Sequence, residues 1–300
     1  MQGMLAAAGR RGGELVAHVS TRRCSITAQQ IAVNAVMAGC LPEYYPVVET
    51  AVRAIAQPQF GVHGPITSTA GAAILVIVHG PMARRLGVRS GGNLLGPGAR
   101  ANATIGRALR LVILNVLGAR GELDRSTFGQ PGKYTSCIAE HDSSGPWPPL
   151  HAARGLDPGC SAVTVFACEA QHQVNDHLSA TPQGILDTVA RVMALRGQCE
   201  YLLVFGAEHL ATLRAAGWSR QDVVDYLWRQ ARAPLAYLKT LMKVPGSIEP
   251  GDGEQLVRVV EEPGDIMVMH AGGEAGRFSL CFYGWATRRN SRAVTLPLEG

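Results

Sequence analysis

Ala73-Ile74-Leu75-Val76-Ile77-Val78-His79-Gly80-Pro81 is the stretch from which the fold is read. Six consecutive apolar residues, rich in β-branched side chains, are too short for a buried helix and are cut off by Gly-Pro, so residues 73–78 are expected as a buried strand. Before it, the spacing predicts helices over 27–38 and 42–56, the first capped by Ser25 or Thr27 and stopped at Gly39. After it comes a glycine-rich loop, Gly91 to Gly98, then a helix over about 100–117 with Ile105, Leu109, Val112 and Val116 on its apolar face. Strands follow at 134–139, 163–167, 201–205, 255–260, 265–270 and 279–285. Helices are expected from Thr181-Pro182 to about 195, over 208–216, and from Ser219 to about 237; residues 144–149 read as a proline-rich turn. Strands alternating with helices argue for an α/β fold: a mixed, largely parallel sheet with helices on both faces. No linker stands out, so residues 23–300 are expected as a single domain behind a loosely ordered tail at 1–22.

Composition narrows the function classes. The chain has 300 residues, 47% hydrophobic and 17% charged, which describes a well-packed soluble protein. The net charge of +5 is mild and its arginines are dispersed, as at Arg84-Arg85, Arg107, Arg110 and Arg288-Arg289, with no basic stripe interleaved with aromatics. Nucleic acid is therefore not an expected partner, and a pocket for a small acidic substrate is. The cysteines, Cys24, Cys40, Cys137, Cys160, Cys168, Cys199 and Cys281, are odd in number and contain no C-x-x-C pair. That excludes a disulfide framework or a zinc ribbon and fits reduced thiols in the cytoplasm. No apolar run reaches membrane-spanning length, and no signal peptide is read at the N-terminus.

Cys40 is the leading chemical candidate. It follows Gly39 and precedes Leu41-Pro42-Glu43, and Pro42 suits the first position of a helix. At a helix N-terminus, free amides and the macrodipole lower a thiol's pKa. Glu43 is placed to orient or protonate a bound group there. The bland alternative is a buried structural cysteine.

Polar residues also crowd the predicted strand ends: His79 after Val78; Glu140-His141-Asp142 after Ala139; Cys168-Glu169 and His172, Asn175, Asp176, His177 after Ala167; Glu208-His209 after Phe205; His270 through Gly276 after Met269. Ligands of open α/β sheets bind there. His172, Asp176 and His177 have the most metal-like spacing, and His172 or His177 is the alternative general base for a thiol. Without a helical scaffold or a closed set of four ligands, the expectation is that no metal and no cofactor is bound. Gly96 and Gly98 lead into Arg100, Asn102 and Arg107, an arrangement suited to an anion, although it matches neither G-x-x-x-x-G-K-[ST] nor G-x-G-x-x-G. Gly272 and Gly273 open a second pocket of backbone amides.

At Asn34-Ala35-Val36-Met37-Ala38-Gly39-Cys40-Leu41-Pro42-Glu43-Tyr44 the chain resembles a bacterial family, the long N-terminal region found with UGSC-family (seleno)proteins. The likeness continues over Gly96–Ala108, Gly129-Gln130-Pro131-Gly132-Lys133-Tyr134, Cys137-Ile138-Ala139-Glu140, Pro146-Trp147-x-Pro149-Leu150-His151, Val174-Asn175-Asp176-His177 and Ala271-Gly272-Gly273. It spans residues 25–285. The resemblance implies thiol-centred chemistry. The chain has no U/C-G-S-C motif, so a redox step would need a partner protein, and His79 and His141 stand where the family tends to have asparagine.

Three readings follow. The first is a cysteine-dependent hydrolase, lyase or thiol-redox enzyme acting on a small anionic metabolite, with Cys40 as nucleophile, Glu43, His172 and His177 handling protons and Cys137 as a second thiol. Its substrate is held by Arg107, Arg100, Asn102 and the Gly96, Gly98, Gly272 and Gly273 amides. The second is a metal-dependent hydrolase or lyase through His172, Asp176, His177 and Glu140. The third is a non-catalytic substrate-binding subunit for a UGSC-type redox partner. A homo-oligomer is possible in each.

Overall fold

A computed structural model describes residues 1–141, 147–287 and 289–299. Among these, the strands are β1 (Leu15–Val19), β2 (Cys24–Thr27), β3 (Ala73–His79), β4 (Cys137–Ala139), β5 (Ala162–Cys168), β6 (His172–Asn175), β7 (Tyr201–Phe205), β8 (Arg232–Pro234), β9 (Leu256–Arg258), β10 (Ile266–His270), β11 (Phe278–Tyr283) and β12 (Val294–Pro297). The protein is mixed α/β, but it divides into two compact units. One contains described residues within 1–141, 148–170 and 290–299, and the other Trp147 and those within 171–289. The proline-rich turn expected at 144–149 lies largely outside the described residues.

In the first unit the sheet order is β12-β5-β3-β4. β3 pairs antiparallel with β5 (Ile74 opposite Ala167, Val78 opposite Val163) and parallel with β4 (Val76 opposite Cys137, Val78 opposite Ala139). β12 runs antiparallel to β5. The second unit has the order β10-β7-β11-β6, parallel only between β7 and β10. The expectation of a largely parallel sheet is thus corrected: antiparallel pairings predominate in both four-stranded sheets. The misleading signal was the unbroken apolar run. Every residue of β5, β7 and β10 is buried. Burial on both faces erases the alternation that normally marks an antiparallel strand.

The helices arise as their sequences indicate. Ala28–Ala38 starts with a capping box: Thr27 Oγ1 accepts from the Gln30 amide, and Gln30 Oε1 accepts from the Thr27 amide at 2.9 Å. It ends at Gly39, whose φ of 84° lies in the left-handed region. It packs against Arg100–Asn115, which buries Ile105, Leu109 and Val112. The fully buried Ile31, Ile55, Leu75, Ile77 and Phe166 belong to this unit's core, each such burial contributing about 1.5–3 kcal/mol. The second unit closes around Ile185, Leu186, Val189, Tyr201, Leu203, Phe205, Leu213, Leu227 and Val268.

Residues 1–22, expected as a loose tail, are built into the first unit. Gln2–Ala7 is helical with Met4 buried, and β1 pairs with β2. The Arg10 guanidinium bonds the Glu49 carboxylate at 2.6 Å and Glu14 at 2.6 Å. No helix among the described residues is long and apolar enough to cross a membrane.

Candidate functional site

Cys40 does not open a helix. Its amide donates to the Ala35 carbonyl at 3.0 Å, beside the Gly39 bonds to Ala35 and Val36, so it closes the C-terminal end of Ala28–Ala38. That is the negative end of the helix dipole, where a thiolate is disfavoured. The following helical turn, Pro42–Tyr44, is only three residues of 3-10 geometry. The thiol is 7% exposed and donates to the Thr104 carbonyl at 3.3 Å. Burial pushes it up to about 11, more than the Thr104 contact and the Arg100 charge bring it down. The expectation of a depressed pKa is overturned. Cys137 is buried too, and burial, with the neighbouring Cys40, drives its thiol far up. Glu43 is exposed.

The glycine loop before Arg100 is organised around a cation. Arg89, which the sequence reading overlooked, donates to the Pro97 carbonyl at 2.9 Å and to Asn93 at 3.2 Å. The Asn93 and Pro97 carbonyls therefore face this cation, and the Gly96 amide is already bonded to the Asn93 carbonyl at 2.9 Å. Arg100 donates twice to the Gly39 carbonyl, at 2.9 and 3.1 Å, and so caps the neighbouring helix. Asn102 accepts from the Arg89 amide at 2.7 Å and donates to the Cys137 carbonyl at 2.9 Å. Both side chains are engaged by the protein itself.

Arg107, one to two turns further along the same helix, is different. It is half-buried and has no hydrogen bond or ion pair among the described residues. It lines a groove of about 710 Å³ with Arg110, Leu114, Phe128, Gly129, Lys133 and Tyr134. Arg110 and Lys133 are both tied to Asp124, at 2.9 and 2.7 Å. Phe128 is 97% exposed and Tyr134 73%, which leaves two aromatic faces beside an uncommitted guanidinium.

In the second unit the histidines and carboxylate of the alternative metal reading do not converge among the described residues. His172 lies exposed on β6, and His177 is exposed with its ring edge-on to Phe278 at 4.9 Å. The Asp176 carboxylate accepts from the Ser179 amide and hydroxyl at 2.9 and 2.8 Å and from Thr188 Oγ1 at 2.7 Å. It is a closed turn anchor. In the loop holding Gly272 and Gly273, the Gly276 amide is already bonded to Glu208 Oε1 at 2.7 Å. A groove of about 730 Å³ in this unit has Arg277 as its cation, paired with Glu208 and bonded to the Ser179 carbonyl.

The polar cluster that does converge is His79, Glu140 and His151, all in the first unit. Parallel pairing of Val78 with Ala139 places the next residues, His79 and Glu140, side by side at the strand ends. His79 Nδ1 is 2.9 Å from Glu140 Oε2, and its Nε2 is 2.8 Å from Thr164 Oγ1, which in turn meets Thr295 Oγ1 at 2.8 Å. Gly80, at φ 76°, lets the chain leave at once; a Cβ there would stand 2.2 Å from the Cys160 carbonyl oxygen. Glu140 accepts from the Leu150 amide at 2.8 and 3.0 Å, so it caps the short helix Leu150–Ala153 and delivers His151. The His79 and His151 rings lie 5.3 Å apart. His151 is fully buried, and neither ring nitrogen makes a hydrogen bond of normal geometry. Burial and then His79 lower its pKa, against weaker opposition from Glu140 and the Pro158 and Asp157 carbonyls. Glu140 and His79 could be read from their strand ends. His151 could not, because no spacing relates it to either. Comparison with known protein families and with curated proteins finds no match to this chain.

Proposed function

We propose that this chain is a binding protein for a small anionic metabolite, held in the groove around Arg107. The observation that carries it is that Arg107 is a half-buried cation with no partner among the described residues, while every other basic side chain of the groove is neutralised by Asp124. A guanidinium binds carboxylate or phosphate oxygens in pairs, and Phe128 and Tyr134 supply flat apolar surface for the ligand's body. The binding reading is preferred to the cysteine enzyme because all five buried thiols are driven toward their protonated form, Cys40 included. The resemblance to UGSC-associated proteins supplies the class of partner that would act on the bound molecule: a separate thiol or selenol protein.

The test is titration calorimetry with phenyl phosphate and benzoate on wild type and Arg107→Gln. Saturable, salt-sensitive binding is expected, weakened in the variant by about 1.5–3 kcal/mol, the loss of a charged hydrogen bond. Because Arg107 has no structural partner, the variant should melt within a degree or two of wild type. Undiminished affinity in Arg107→Gln, or no binding by wild type, would sink the proposal.

A further inference from the structure

We propose that His79, Glu140 and His151 form a binding site for one divalent first-row transition-metal ion, with zinc the foremost candidate. Each residue offers a ligand atom, and these atoms all lie within 4.8 Å of one another. A metal bonded at about 2.0–2.2 Å draws its donors somewhat closer together, so modest side-chain rotation completes the set. Two imidazole nitrogens and one carboxylate oxygen suit Zn²⁺ or Fe²⁺ better than Mg²⁺ or Ca²⁺, which prefer oxygen alone. The proposal departs from the sequence-based expectation that no metal is bound, and it uses a different pair of histidines.

Two observations separate a metal site from an ordinary buried hydrogen-bond network. The first is His151. Buried polar groups are nearly always hydrogen-bonded, yet neither nitrogen of this fully buried ring makes a bond of normal geometry; the Asp157 and Pro158 carbonyls bear on it only weakly, and the ring lies against His79. A network built only to close on itself would give that ring a well-formed partner; a neutral imidazole has one lone pair to offer a metal. The second is the outer layer of contacts. With His79 Nδ1 on the metal, Nε2–H is positioned to donate to Thr164 Oγ1, which is backed by Thr295. The Leu150 amide orients the Glu140 carboxylate. Metal-binding histidines and carboxylates are held by such second partners, which set ring orientation and tautomer.

The experiment titrates chelator-treated full-length protein with Co²⁺, whose visible bands report its coordination, and then displaces it with Zn²⁺. One equivalent per chain is expected, with a higher melting temperature at saturating Zn²⁺. Glu140→Gln and His151→Gln should each weaken binding by about a hundredfold or more. His172→Gln and His177→Gln should leave it unchanged. Should the buried variants fail to fold, X-ray absorption at the zinc edge of wild type decides: a shell of nitrogen and oxygen with imidazole scattering supports the site, and a sulfur shell overturns it. A folded wild type that shows neither Co²⁺ bands nor a zinc-dependent melting shift overturns it as well. None of these readouts uses the anion groove, so the two proposals fail or stand separately.

Discussion

Each unit carries a buried polar cluster containing a histidine and a carboxylate, and the two are finished differently. In the second unit, Asp176 accepts bonds from two amides and two hydroxyls, and His209 uses both nitrogens, on Ser279 Oγ at 2.8 Å and the Asp176 carbonyl at 3.0 Å. Every lone pair has a protein partner. In the first unit, His79 and Glu140 are satisfied but His151 is not. A closed network rigidifies the fold, and an open one in a dry interior is costly. The same contrast separates two residues of one helix: Arg100, bonded to Gly39, and Arg107, which has no partner among the described residues.

The largest effect should come from removing a closed group and an open one in turn. Asp176→Ala leaves two hydroxyls and two amides without their acceptor and should cost about 3 kcal/mol in urea denaturation. His151→Phe in metal-free protein removes a ring that makes no hydrogen bond of normal geometry, so it should cost less than about 1 kcal/mol or even stabilise. Equal costs would erase the distinction between the clusters.

A somewhat smaller effect is expected at Cys40, a closed group in the first unit. Its pKa moves from 9.0 to about 11, so its thiolate population near neutrality is about a hundredfold below that of an unperturbed thiol. Mass spectrometry after brief iodoacetamide treatment at pH 7 should find the half-exposed Cys24 and Cys160 modified first and Cys40 intact. Burial of the neutral thiol stabilises the fold below pH 9, and that contribution is lost as pH rises toward 11. Prior alkylation of Cys40 would restore the nucleophile reading.

The smallest effect concerns Asp124, a closed network beside the open Arg107. Burial opposes its ionisation, but Lys133, Ser126 and Arg110 outweigh it and bring the carboxyl down to about 2. The folded value lies below the unfolded one. Its stabilisation is therefore complete above about pH 4 and disappears as pH falls toward 2, amounting to about 2 kcal/mol. Asp124→Asn should be less stable than wild type at pH 6 and equal to it at pH 2. A gap that does not change with pH would show that the network acts through shape and not charge.

Much of the local structure was legible in the chain. The cap at Thr27, one of two candidates with Ser25, the stop at Gly39, and the strands at 73–78 and 201–205 follow from propensity and short-range bonding. What was misread shares one cause. Cys40 was assigned to the following helix on the strength of Pro42, yet its amide reaches back to Ala35, because a glycine in the left-handed region returns the chain onto the helix just ended. The helix expected up to residue 237 stops at Gln230, where Arg232–Pro234 pairs with Leu256–Arg258 instead. His172 and His177 were attractive for their spacing, but spacing along a chain says nothing of direction when one residue lies on a strand and the other beyond its end.

The sequence by itself determined that this is an α/β protein with apolar strands and capped helices, because those properties are set by neighbours within a turn or a strand. The tertiary structure decided which charged groups have partners. Whether Arg107 stays open while Arg110 meets Asp124, and whether His79 and Glu140 meet across a parallel pair while His151 arrives from a helix Glu140 itself caps, depends on contacts between residues 10 to 72 positions apart. Free energy of burial and pairing is a property of three-dimensional neighbours, and no local pattern encodes it.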